Sequence, residues 1–99
     1  MRLALLFFFA LILLPGPSVR AQESDPFEQA TKAYNDGHYE EAISYYEQIL
    51  SEDLHSAALY FNLGNAHYKL GHVGPSIYYY EKALLLDPTD TEIRNNLAF

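Results

Sequence analysis

The side chains able to do chemistry are four histidines (His38, His55, His67, His72), the acidic pairs Glu40-Glu41 and Glu52-Asp53, and nine tyrosines, five of them in Tyr45-Tyr46 and Tyr78-Tyr79-Tyr80. A metal needs imidazoles and carboxylates converging on one face, which a helix provides at three- or four-residue spacing. No two of the four histidines share a helix face with a carboxylate at such spacing. His67 is therefore expected to pack, and His38 and His72, in turn-like contexts, to face solvent. No Gly-rich phosphate loop, G-x-S-x-G or H-E-x-x-H stands in the chain, and there is no cysteine to act as nucleophile, thiolate ligand or disulfide partner. The acidic pairs fall at helix ends, where carboxylates favour the positive end of a dipole or stay hydrated. The expectation is no catalytic residue, no metal and no cofactor: the chain is not an enzyme.

In 99 residues there is room for one small domain, and the first stretch does not read as part of it. Arg2 is followed by an apolar run from Leu3 to Leu14, a break at Pro15-Gly16-Pro17-Ser18, and small residues at Val19 and Ala21. That order is a secretory signal, with a cut after Ala21. As a helix the run would span about 18 Å, short of the roughly 30 Å of a bilayer core, so cleavage is expected over anchoring. No cysteine follows the run to carry a lipid. Removing residues 1–21 takes away Arg2 and Arg20 but no acid, which moves the formal charge from −7 to −9. Binding to phosphate backbones relies on Lys and Arg releasing counterions, so nucleic acid is excluded as the natural partner.

The remaining residues must be positioned by something periodic. A shift of 34 residues lays Ile43-Ser44-Tyr45-Tyr46-Glu47-Gln48-Ile49-Leu50 over Ile77-Tyr78-Tyr79-Tyr80-Glu81-Lys82-Ala83-Leu84, Gly37-His38 over Gly71-His72, and Tyr34 over Tyr68. A fixed period of this size signals stacked supersecondary units. Each unit reads as helix, tight turn, helix: Tyr60, Leu63, Gly64, His67 and Leu70 keep helical spacing, Gly71 interrupts, and Ile77, Tyr80, Glu81 and Leu84 resume it until Asp87-Pro88. Helices are predicted at 26–36, 39–51, 57–70, 74–86 and 90–99. Asp25-Pro26-Phe27-Glu28 marks the first start, and Thr89-Asp90-Thr91-Glu92 reads as a capping box for the last. Gly64 lets a partner helix approach closely, with Ser76 and Ala83 as the small residues opposite and Tyr80 filling the adjoining gap. In each tyrosine cluster the last member suits the core and the earlier ones the outer face.

The segment Leu59-Tyr60-Phe61-Asn62-Leu63-Gly64-Asn65-Ala66-His67-Tyr68-Lys69-Leu70-Gly71, continuing to Tyr80, Ala83 and Pro88, resembles a tetratricopeptide repeat at nearly every signature position. Residues 23–56 are a looser copy, with Ala30, Ala42 and Tyr46 in place, Pro26 for the early aromatic, Ile49 for the late alanine and Leu54 for the closing proline. The resemblance implies an all-α fold, antiparallel hairpins stacked as a short right-handed solenoid: a signal peptide over 1–21, then a repeat domain over 22–99 with repeat 1 at 23–56, repeat 2 at 57–90 and, at 91–99, the start of a third repeat or a capping helix. The second repeat is also similar to the tetratricopeptide component of bacterial aerotolerance (Bat) operons, whose repeats run into a motif matched here by Asn95-Asn96-Leu97.

That resemblance implies a protein-interaction scaffold in the cell envelope, holding a protein or peptide on a concave face lined by the first helix of each repeat. By register this face takes Phe27, Thr31, Tyr34 and Asn35 from repeat 1 and Phe61, Asn62, Asn65, Tyr68 and Lys69 from repeat 2; rings supply area and amides pair with peptide backbone. The alternative for Tyr34 and Tyr68 is packing between repeats. The basic clamp with which some of these domains grip a terminal carboxylate would fall on Phe27, Thr31, Asn62, Glu92 and Asn96, and only Asn62 keeps the required type, so that mode is not expected. About three repeats are usually needed for stability, and two stand here ahead of an apolar ending at Phe99. The expectation is a segment of a longer protein, with membrane association through a later region and self-association both open.

Overall fold

The computed structural model describes residues 25–98. Every regular element among them is helical: α1 (Pro26–Asn35), α2 (Tyr39–Ser51), α3 (Ala57–Lys69), α4 (Val73–Leu86) and α5 (Thr91–Leu97). None of these helices is long and apolar enough to cross a membrane. The signal expected over residues 1–21 and the chain end at Phe99 lie outside the described residues.

Side-chain caps fix the starts of α1, α3 and α5. Asp25 accepts from the Phe27 amide at 3.1 Å ahead of Pro26, whose missing N–H falls where no partner exists anyway. Ser56 accepts from the Leu59 amide at 3.0 Å to start α3. For α5 the cap is Asp90, which accepts from the Ile93 amide at 3.0 Å, so the helix begins one residue later than predicted. Thr89 donates its hydroxyl to the Asp87 carboxylate at 3.3 Å instead, and the Asp90 carboxylate is the better acceptor at the positive end of the helix.

Both hairpins turn in the same way. Gly37 and Gly71 take φ of +81° and +76°, and the amides of His38 and His72 reach back to the carbonyls of Ala33 and His67 at 2.8 and 2.9 Å. This left-handed stop satisfies carbonyls that the ending helix leaves open, and a side chain at either glycine would be strained there.

Within each hairpin the contact is made by small residues opposite a large ring. Ala30, Ala33 and Ala42 are buried around Tyr46 in the first; Gly64, Ser76 and Ala83 surround Tyr80 in the second. A Cβ built on Gly64 would lie 2.5 Å from Cδ1 and 2.6 Å from Cε1 of Tyr80, and the buried Ser76 hydroxyl donates to the Gly64 carbonyl at 2.9 Å. The two hairpins then join through α2 and α3, where Ile43 shares one core with Leu59, Leu63 and Ala66. Burying each such Leu or Ile is worth about 1.5–3 kcal/mol. A second core of Tyr60, Tyr80, Ala83 and Ile93 ties α5 to the second hairpin.

The tyrosine clusters follow the expected order only in part. Tyr46 and Tyr80 are buried and Tyr78 is exposed, but Tyr79 is half-buried, its ring stacked between Tyr60 (6.1 Å between centroids) and His67 (5.4 Å). Tyr45 is likewise half-buried against the first core. The residue before the central tyrosine reaches sideways over the seam between helices, where aromatic stacking and burial reward it.

Candidate functional site

One turn of α3 meets α5 and the end of α1 around a cavity of about 290 Å³ lined by Tyr34, Asn65, Tyr68, Lys69, Tyr80, Asn95 and Asn96. Four of the nine residues predicted for the concave face are brought together here: Tyr34, Asn65, Tyr68 and Lys69. Their spacing explains the grouping, because positions 65, 68 and 69 share one helix face and position 34 is the equivalent of 68 one repeat earlier. Tyr34 also packs on the first core and meets Tyr39 edge-on at 5.2 Å, so the ring that lines the cavity is also a packing ring. Burial, then the neighbouring Tyr39 and Tyr46, holds its phenol above the ordinary value, and it stays a neutral hydrogen-bonding group.

The other five residues are elsewhere. Phe27, Thr31 and Asn35 line a shallow open depression along α1 with Glu28, Lys32 and Asp36. Phe27 meets Tyr46 edge-on at 5.7 Å, and the Thr31 hydroxyl donates to the Phe27 carbonyl at 3.0 Å. Phe61 packs on the second core with its ring 5.9 Å from Tyr80, and Asn62 is half-buried. These two stand a turn earlier on α3, beside the docked α5, and line neither depression.

Three residues of the cavity were not foreseen as contacts: Tyr80, Asn95 and Asn96. The signal was present for two of them, since Asn95 and Asn96 are the 34-residue equivalents of Phe61 and Asn62, both predicted for the concave face. Asn65 is the hub. Its Oδ1 accepts from the Tyr80 hydroxyl and, at 3.0 Å, from Asn96 Nδ2, which ties α3 to both α4 and α5. With that oxygen engaged, the N–H donors are what Asn65 can offer a guest. Tyr80 itself is held above the ordinary phenol range by burial, opposed by its hydrogen bonds to Ser76 and Asn96. Lys69 supplies a cation at the rim.

The histidines form two arrangements that spacing alone did not suggest. His67 and His72 face each other across the α3–α4 turn with Nδ1 atoms 3.2 Å apart, so His72 has a partner at the surface rather than solvent alone. Burial, then the proximity of His72, lowers the pKa of His67 below 6.5, while Glu47 pulls the other way. At the α2–α3 connection, Asp53 Oδ1 lies 2.8 Å from His55 Nε2, and His55 Nδ1 in turn hydrogen-bonds the Tyr60 hydroxyl. The relay ends on a buried phenol, so it fastens the connection between hairpins. Among the described residues no three metal-ligating side chains converge.

A stack of antiparallel helix pairs, closed by small residues against rings and opening an inner face between first helices, defines a helical-repeat scaffold. The tetratricopeptide-repeat family model matches residues 57–90, and a second model of that repeat matches residues 33–55. Together they cover more than half of the chain, which belongs to the tetratricopeptide-repeat proteins. Such repeats are protein-interaction modules and are typically non-catalytic. Comparison with the curated proteins gives no match.

Proposed function

We propose that this chain is a non-catalytic scaffold of the bacterial cell envelope that holds an extended peptide or a partner helix on its concave face. The observation carrying the site is the cavity at Tyr34, Asn65, Tyr68 and Lys69, extended by Asn95 and Asn96. Phenol rings give contact area at low entropic cost, side-chain amides donate to and accept from peptide groups, and one cation suits a carboxylate or carbonyl. Export is supported by the basic start, apolar run and Val19-x-Ala21 ending of the first segment.

A photo-crosslinking residue placed at Tyr68 in living cells tests both parts. It is expected to capture an envelope protein that the same group at Leu85, on the outer face of α4, does not. Equal capture at both positions, or capture of cytoplasmic proteins only, contradicts the proposal. A second reading, favoured by the passage of repeat 2 into Asn95-Asn96-Leu97, is a repeat segment of a longer membrane-associated assembly of the Bat-operon kind. An open reading frame continuing past the Phe99 codon into apolar spans supports it, and a stop codon there refutes it.

A further inference from the structure

His67 and His72 are too far apart in sequence to share a helix face, yet the α3–α4 turn holds their ring centroids 5.4 Å apart and their Nδ1 atoms 3.2 Å apart. The backbone sets this bite. Gly71 at φ +76° folds the chain back, and the His72 amide donates to the His67 carbonyl at 2.9 Å, so the two residues that carry the rings are themselves hydrogen-bonded. Tyr79 holds the His67 ring in turn, stacked on it at 5.4 Å with the planes 12° apart.

A separation of 3.2 Å between imidazole nitrogens suits more than a hydrogen bond. Two nitrogens bound to one transition metal at about 2.0–2.1 Å stand about 2.9 Å apart at a right angle and about 3.3 Å apart at the tetrahedral angle. A linear two-coordinate ion would need about 4 Å. The observed bite lies inside the bent range. As a hydrogen bond, the contact requires one Nδ1 to donate to the other. With both rings in the Nε2–H form, two lone pairs converge instead, and a metal ion takes the place of the shared proton. Glu47 of α2 adds a negative charge that acts on His67 and favours a cation there.

The first hairpin supplies an internal comparison. Its turn has the same geometry, with Gly37 at φ +81° and the His38 amide on the Ala33 carbonyl at 2.8 Å, but Ala33 stands at the register position of His67. His38 faces no second imidazole and lies 3.6 Å from Glu41. The turn is therefore common to both hairpins, and the facing imidazoles are particular to the second.

We propose that His67 and His72 form a surface site for a borderline divalent transition metal, bound through both Nδ1 atoms with water in the remaining positions. Among the described residues no third protein ligand converges on the pair, so the metal exchanges readily and keeps open positions. Two imidazoles without a thiolate select Cu(II) ahead of Ni(II) and Zn(II), and disfavour the oxygen-seeking Mg(II) and Ca(II). His72 is exposed and His67 half-buried, which gives an ion access from solvent. Neither residue lines the concave cavity, so the site is separate from the peptide-binding face. A bound ion would clamp α3 to α4 across their turn.

Calorimetric titration of copper(II) and magnesium(II) chlorides into the 99-residue chain, made without a histidine tag, is the test. Copper is expected to bind in the micromolar range and magnesium not at all. His72→Gln, at an exposed position where folding is undisturbed, should weaken copper by about tenfold or more, because one of two ligands is lost. His38→Gln, at the equivalent turn position, should leave it unchanged. Copper should also raise the thermal midpoint of the native chain and not that of His72→Gln, since an ion held only by the folded turn stabilises it. Zinc(II) should shift the imidazole NMR signals of His67 and His72 above those of His38 and His55. Absence of copper binding up to millimolar concentration, affinity untouched by His72→Gln, or equal weakening by His38→Gln overturns the proposal. Zinc shifts centred on His38 or His55 overturn it as well.

Discussion

Gly64 and Tyr80 lie so close that a methyl group added to the glycine would sit 2.5 Å from the ring. The first hairpin solves the same contact with Ala30 against Tyr46, both buried. There the ring is held less firmly, since its hydroxyl lies 3.5 Å from Thr31, whereas Tyr80 is tied to Asn65. Gly64→Ala gains helix propensity worth about 0.5–1 kcal/mol but must displace an anchored ring, and overpacking of that kind costs about 1–3 kcal/mol. The variant should be less stable in urea unfolding, and an unchanged or raised midpoint would contradict the packing described here.

Asn65 joins three helices through one oxygen. Asn65→Ala leaves the Tyr80 hydroxyl and the Asn96 amide without their acceptor, a loss of about 1–3 kcal/mol where the donors stay buried. The effect should be greatest in α5, which is short and attached through Ile93, Leu97 and Asn96. Amide hydrogen exchange is predicted to quicken over residues 91–97 more than over α2. Uniform quickening, or none, would show that Asn65 is not the tie.

The pH dependence of stability follows from His67, whose pKa in the folded chain lies below 6.5 because of burial and the adjacent His72. The unfolded chain then takes up the proton first as pH falls. Stability from this group is fully present above pH 6.5 and is lost as pH drops from that value towards the lower folded pKa. If both imidazoles were protonated, two N–H groups would meet across the 3.2 Å gap. Thermal midpoints of the native chain should decline between about pH 7.5 and pH 5.5, and His67→Gln should flatten that decline. A midpoint that rises on acidification, or a decline untouched by the substitution, contradicts the assignment.

At the start of α5 the cap is Asp90 and not Thr89. Asp90→Ala is expected to cost about 0.5–2 kcal/mol, while Thr89→Ala stays near neutral. Circular dichroism melts of the two variants decide between them, and the reverse order would restore the capping box read from the sequence.

Much of the fold was legible because repetition multiplies weak signals. Gly37 and Gly71 mark one turn twice, and Tyr46 and Tyr80 mark one core position twice, so helix ends and buried faces could be read by registering one unit on the other. The site was less legible because its residues come from four helices, α1, α3, α4 and α5, brought together only by stacking. Tyr34, Asn65, Tyr68 and Lys69 share an inner face by spacing alone. That Phe61 turns to Tyr80, and that Asn95 and Asn96 close the cavity, depends on where α5 docks. The His67–His72 pair is five residues apart and meets only because Gly71 folds the chain back. Tyr79 lies over a seam between helices, which single-helix periodicity cannot express.

The claim on which the functional account rests is that a guest peptide lies against α3 on the concave side. Affinity selection of a random short-peptide library on the immobilised chain, followed by amide NMR mapping with the tightest sequence, tests it most directly. The largest shifts are expected on Asn65, Tyr68, Lys69 and Asn95, and Lys69→Glu is expected to weaken the selected peptide. Selection of no peptide, or shifts confined to the outer faces of α2 and α4, would contradict it.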